Sequence, residues 1–273
     1  MKLLFPTDFS EASKNAFRYA LHVAQEMQAE IITLHVYDLP QIDFAEYPIP
    51  LTTIYQVTEL GNFENYKQHI PVLHEIADSL GLSHIKISNV LECGNLIDTV
   101  HRICKTDAID YVVMATKGTG GLIETFLGSI TSKIMHEVQV PVLAIPTQAS
   151  FHPAKKMLFI TRYEKSDQAI LEQAQILTAK FNGKVRSLHV GNQAEDQLQQ
   201  RVWEQNFPAV EFLNLEAHLD VESHILDYLE QEPFDVLVMP VHHRSFLEQL
   251  FHQSLSKKLS MHVQIPILAI PTK

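Results

Sequence analysis

Apolar residues along this chain fall into short runs separated by longer stretches of helical spacing. Lys2–Pro6 is a brief apolar run ending at Thr7-Asp8. Ser10 then precedes Glu11 to Gln28, where Ala12, Ala16, Tyr19, Ala20 and Val23 recur at the period of one helix face. Glu30–Tyr37 is rich in β-formers, with Ile31, Ile32, Leu34 and Val36. The pattern continues with a helix over 58–80, a strand over His84–Leu91 and a helix over Leu96–Lys105. It closes with a strand over Ile109–Ala115, a helix over Ser129–Val138 and a last strand, Val142–Ile145, between Pro141 and Pro146. Strands alternating with helices predict parallel βαβ units in a doubly wound α/β sheet. The near-continuous apolar runs fit a sheet covered on both faces. Segment 38–57, punctuated by prolines, reads as a surface loop, with a lid or an oligomer contact as the sharper alternative.

The whole pattern occurs twice. Leu3 aligns with Met157 and Leu34-His35-Val36 with Leu188-His189-Val190, each 154 residues apart. Asp110-Tyr-Val-Val-Met114 aligns with Asp235-Val-Leu-Val-Met239, and Pro141–Thr147 with Pro266–Thr272, now 125 apart. The smaller second offset means that the first copy is longer in the middle, mainly after Tyr37. A unit of this length present twice is a duplicated domain, expected over 1–148 and 153–273. The join, Gln148–Ala154, is short and has no glycine-rich tether, so the halves are expected to pack together.

One segment carries candidate chemistry. Val112–Ala115 runs into Thr116-Lys117-Gly118-Thr119-Gly120-Gly121, and Gly128-Ser129-Ile130-Thr131 then opens a helix. Small residues at a strand end and a helix start leave backbone N–H groups free to meet an anion such as a phosphate. In doubly wound sheets ligands bind beyond the carboxyl ends of the strands, where Asp8, Val36 and the 115–121 loop all lie. Each residue also has a plainer role. Asp8 could start a turn, Ser129 and Thr131 could cap a helix, and Lys117 could be solvated.

Composition narrows the field. At 273 residues and 46% hydrophobic, the chain can bury two ordinary cores. A net charge of −11 with no basic face argues against a nucleic-acid partner. Cys93 and Cys104 form no metal-type spacing and read as reduced thiols in a cytoplasmic protein. No stretch approaches the roughly 18 apolar residues of a membrane span, and no leader peptide is expected. The 15 histidines include the run His242-His243-Arg244, which reads as surface, and His35 and His189, which read as hydrogen-bonded structural rings.

The chain resembles a tandem universal stress protein. That family writes its nucleotide loop as G-x-x-G, nine residues, then G-[S/T]; here it stands as Ala115-Thr-Lys-Gly118, nine residues, then Gly128-Ser129. Pro6-Thr7-Asp8 and Leu34-His35-Val36 add to the likeness, which covers nearly the whole chain. The resemblance implies two Rossmann-like domains of five parallel strands each, in order 3-2-1-4-5. It implies ATP or a related adenine nucleotide, with or without Mg²⁺, held by Asp8, Val36, Met114, Ala115, Lys117, Gly118, Gly128, Ser129, Ile130 and Thr131. It also implies that the last strands make the dimer contact. The duplication suggests an intramolecular pseudo-dimer, able to dimerise again through other surfaces.

Two departures bear on that reading. Ala115 replaces the first loop glycine, which is costly if the position needs positive φ and harmless if it is strand-like. In the second copy, Arg162 replaces Asp8, Pro240-Val241-His242-His243 replaces Ala115–Gly118, and Gln253-Ser254-Leu255-Ser256 replaces Gly128–Thr131. That site is expected to be closed. No Walker-type loop or nucleophile elbow is present, so hydrolysis is expected to be slow or absent. The alternative is a scaffold whose two sites are both vestigial.

Overall fold

The computed structural model describes residues 1–39, 51–117, 127–191, 193–216, 221–241 and 265–272. The first half runs β1 (Lys2–Pro6), α1 (Glu11–Met27), β2 (Glu30–Tyr37), α2 (Leu51–Ser79), β3 (Ile87–Cys93), α3 (Leu96–Thr106), β4 (Tyr111–Ala115), α4 (Ser129–Glu137) and β5 (Val142–Ile145). The second half runs β6 (Lys156–Ile160), α5 (Asp167–Ala179), β7 (Lys184–Gly191), α6 (Gln193–Asn206), β8 (Glu211–Glu216), α7 (Val221–Gln231), β9 (Val236–Val241) and β10 (Ile267–Pro271). All ten strands join one sheet, ordered β3-β2-β1-β4-β5-β10-β9-β6-β7-β8. Read from either edge inward, each half has the expected 3-2-1-4-5 order.

Every neighbouring pair is parallel except β5 and β10, which meet antiparallel with Leu143 opposite Leu268. These two leucines are themselves repeat equivalents, 125 residues apart. A pair of equivalent residues facing each other marks a local pseudo-twofold axis, the geometry of a self-complementary dimer contact. The ladders inside the halves repeat in register too. Leu3 pairs Tyr111 as Met157 pairs Val236, and Lys2 pairs Glu30 as Lys156 pairs Lys184.

Alternation along each strand feeds two apolar layers. In β1, Leu3 and Phe5 pack into the layer under α1, while Leu4 joins the opposite layer with Val100 and Ile103 of α3 and Ile134 of α4. Burial on both faces is why the strands read as unbroken apolar runs.

Two elements differ from the expected bounds by three residues or more, and β4 starts two residues later than expected, at Tyr111. α2 begins at Leu51, so residues 51–57 are helical and not part of a loop; residues 40–50 lie outside those described. β3 begins at Ile87 because His84 and Ile85 finish a turn, with the Ile85 N–H donating to Leu82 O at 3.1 Å.

Candidate functional site

The site grows from the carboxyl ends of β1, β2 and β4. After Pro6 the backbone turns sharply, and Phe9 takes φ 59°, a left-handed conformation that costs a non-glycine residue about 1 kcal/mol or more. Hydrogen bonds hold the turn. The Phe9 N–H donates to Thr7 Oγ1 at 3.0 Å, and the Ser10 N–H to Asp8 Oδ1 at 3.1 Å. The hydroxyls of Thr7 and Ser13 meet at 2.8 Å. His35, on β2, bonds the Thr7 carbonyl through Nδ1 at 2.8 Å. A carbonyl can only accept, so Nδ1 carries the proton and the tautomer is fixed. The Phe9 ring stacks on His69 with centroids 4.7 Å apart and packs against His35 at 4.9 Å.

β4 and α4 form the other wall. Ala115 is the last residue of β4, buried and outside the left-handed region, so its methyl group carries no backbone strain. The Gly128 N–H donates to Thr116 O at 2.7 Å, and a Cβ on Gly128 would lie 2.8 Å from that oxygen. Glycine is therefore required for the chain to approach the end of β4. Thr131 Oγ1 donates back to Ala115 O at 3.1 Å, which ties the first turn of α4 to the strand. Thr131 is thus not the helix cap. The N-cap is Gly128, extended at φ −68° and ψ 151°, and among the described residues no side chain caps α4. Ser129 and Ile130 are exposed beside those first-turn amides.

These segments line an open cleft of about 570 Å³, counted out to solvent. Of the residues expected at the site, Asp8, Val36, Met114, Ala115, Lys117, Ile130 and Thr131 line it. Gly128 and Ser129 stand beside it at the start of α4. Gly118 lies outside the described residues. Thr7, Ser13, His35 and Leu96 also line the cleft, although no motif in the sequence marks them for a ligand role. The 154-residue offset was the signal that could have found three of them, because Thr7, Ser13 and His35 occupy the same places as Thr161, Asp167 and His189. Partial burial lowers the Lys117 pKa below its ordinary value by stripping water from the ammonium.

Comparison with known proteins gives this geometry a family. The sequence profile of the Universal stress protein family matches residues 1–146, more than half of the chain. The chain belongs to the universal stress protein family. A universal stress protein of Methanocaldococcus jannaschii is 24% identical over 156 residues, spanning 55% of this chain and 96% of that protein. A two-half fold of the same kind is found in a universal stress protein from Archaeoglobus fulgidus. It superposes over 99% of this chain and 98% of its own, with TM-score 0.74 at 17% identity. A Pseudomonas aeruginosa relative covers 99% of this chain and 93% of its own at TM-score 0.63 and 10% identity. Both structural likenesses speak to the universal-stress fold.

The second half reproduces the same β-strand turn with different chemistry. Tyr163 takes φ 59°, its N–H donates to Thr161 Oγ1 at 2.8 Å, and His189 Nδ1 donates to Thr161 O at 2.8 Å. Asp167 stands where the first half has Ser13, fully buried, and accepts the Thr161 hydroxyl at 2.8 Å. Tyr163 lies over His189 with centroids 4.7 Å apart, and its hydroxyl donates to Asn214 at 2.9 Å. Arg162, at the position of Asp8, is exposed. Residues 242–264, which include His242, His243, Arg244, Gln253, Ser254 and Ser256, lie outside the described residues. Among the described residues, no helix is long and apolar enough to cross a membrane, and no group of three or more His, Cys, Asp or Glu side chains could hold a metal ion.

Proposed function

We propose that the first half, residues 1–148, binds ATP or a related adenine nucleotide. The protein then acts in a cytoplasmic stress response through conformation or partner choice, with slow or no hydrolysis. The observation that carries this reading is the open cleft where the ends of β1, β2 and β4 meet an α4 N-terminus that no side chain caps among the described residues. The first-turn amides and the helix dipole favour a phosphate there, and the half-buried Lys117 adds positive charge. Asp8 and Val36, across the cleft, suit the nucleoside. If Mg²⁺ accompanies the nucleotide, Asp8 and Ser129 are the oxygen donors at hand, and the phosphates supply the rest. In the same reading residues 153–273 form a degenerate copy, in which Arg162 reverses the charge of Asp8. Membership of the universal stress protein family supports the proposal.

A second reading, a scaffold with no nucleotide, rests on the internal roles of three residues. Asp8 holds the Ser10 amide, Thr131 holds the end of β4, and Gly128 is needed for backbone contact. Titration calorimetry with ATP separates the two readings, together with mass spectrometry of ligand released from purified protein. Saturable binding that is lost in Gly128→Val and weakened in Ser129→Ala supports the nucleotide reading. Absence of binding at millimolar ATP supports the scaffold, and rapid phosphate release overturns the non-enzymatic role.

A further inference from the structure

A second hollow opens in the other half, at the amino ends of β6, β7 and β8, and measures about 820 Å³ counted out to solvent. Lys156, Lys184 and Arg186 line it together with Glu211 and Glu232. The duplication shows how this chemistry arose. In the first half the same place holds two internal contacts. Lys86 Nζ lies 2.5 Å from Glu30 Oε2, and Lys2 Nζ donates to Asp107 O at 2.9 Å. Strand register carries Lys2 onto Lys156, Glu30 onto Lys184 and Lys86 onto Ala209. The acid has become a base, and the base has been cut back to a methyl group.

Lys156 and Lys184 therefore stand side by side in the parallel ladder, where the first half sets Lys2 beside Glu30. Like charges in that relation destabilise a sheet. Among the described residues neither ammonium has a hydrogen-bond or ion-pair partner. Arg186 lies two residues beyond Lys184, about 7 Å along β7 on the same face. It is new to the second half, standing where the first has Ile32. Both carboxylates of the hollow are engaged by it: Nε donates to Glu211 at 2.8 Å, and Nη1 bonds Glu232. The Tyr228 hydroxyl accepts from Nη1 at 2.6 Å. Three cations against two carboxylates leave this hollow positive in a chain whose formal charge is −11.

We propose that this hollow binds a small phosphate monoester, its phosphate held between the ammonium groups of Lys156 and Lys184. Such a phosphate carries about −1.5 to −2 charges at neutral pH, enough to answer both lysines, whereas a carboxylate answers one. Each ammonium offers charge-assisted donors to the phosphate oxygens. Arg186, already held by three acceptors, contributes its charge without leaving them. Pro208 and Val210, beside the lysines in the lining, give the ester's organic part an apolar surface. The site is separate from the cleft at the end of β4 and does not depend on nucleotide binding there.

The test uses the full chain labelled with ¹³C at its seven methionine methyls, of which Met157 lines this hollow and Met114 the cleft. The probes are phenyl phosphate and, as its singly charged counterpart, benzoate. A saturable shift of the Met157 signal with phenyl phosphate, and clearly weaker binding of benzoate, are expected. Lys156→Gln should weaken phenyl phosphate about tenfold, the effect of one hydrogen bond to a charged group. Lys184→Glu, which restores the residue of the first half, should abolish the Met157 shift while the other methionine signals stay in place. Lys184→Arg should keep it. An unmoved Met157 signal overturns the proposal, and so does equal binding of benzoate or unchanged affinity in Lys156→Gln and Lys184→Glu. A shift of Met114 alone puts the phosphate in the cleft and overturns it too.

Discussion

Gly128 and Ser129 are adjacent, yet their side-chain positions have different neighbours. A methyl group on Gly128 would press on Thr116 O, 2.8 Å away, whereas the Ser129 hydroxyl faces solvent. Gly128→Ala should therefore cost about 1–3 kcal/mol in urea unfolding. Ser129→Ala should stay within about 0.5 kcal/mol. The glycine-serine pair was legible as a motif, but its reason was not. Spacing could not reveal that Gly128 serves a backbone contact as well as an anion site, nor that Ala115 sits in strand conformation. Burial also sets the behaviour of two ionisable groups. It pushes the Cys104 thiol from 9.0 and the Tyr66 phenol from 10.0, each to about 12. Between about pH 9 and 12 the folded chain thus holds protons that the unfolded chain has released. This contribution is complete below pH 9 and is lost as pH rises through that window. Urea midpoints at pH 8 and pH 10.5 should show the decline, with Cys104→Ala and Tyr66→Phe flattening it. At pH 8 a thiol reagent should modify the exposed Cys93 at once and Cys104 only after unfolding.

Helix starts show how far a local signal reaches at the scale of the element. Ser10 precedes α1 and Ser166 precedes α5, two residues off the repeat position. Only Ser10 is a cap in practice: it is extended, and its Oγ accepts the Ser13 N–H at 3.1 Å. Ser166 is already helical and makes no capping bond. Ser10→Ala should cost about 1 kcal/mol and Ser166→Ala nearly nothing, both read from denaturant unfolding. The same gap between propensity and context explains α2. The prolines of segment 38–57 make it read as loop, and the β-branched Thr52, Thr53, Ile54 and Val57 are weak helix formers, yet Leu51 begins a 29-residue helix. Most strands were legible because burial on both faces leaves continuous apolar runs. β3 was placed three residues early because it is the sheet's edge and only partly buried, where alternation is weak.

At the scale of the whole molecule the duplication was the strongest feature of the sequence, and it carries the assembly. Equal offsets in the strand registers and the facing of Leu143 by Leu268 describe a dimer contact enclosed within one chain. Chain connectivity is then a convenience and not a requirement for that contact. If residues 1–148 are an independent unit, as proposed, the fragment should fold alone with β5 as a bare, apolar edge strand. Such an edge seeks a partner, and the nearest match to β10 is a second copy of β5. Two fragments should therefore associate with Leu143 opposite Leu143, restoring a continuous antiparallel junction at the centre of a symmetric sheet. Light scattering of the purified fragment should give twice its mass. Ala144→Lys, which places a charge on a residue now fully buried against Ile267, should return it to a monomer. Retained helical circular dichroism in that variant would separate lost pairing from lost folding. A wild-type fragment that stays monomeric and folded would mean that the junction depends on the covalent connector, with Phe151 packed on Tyr19, for its stability.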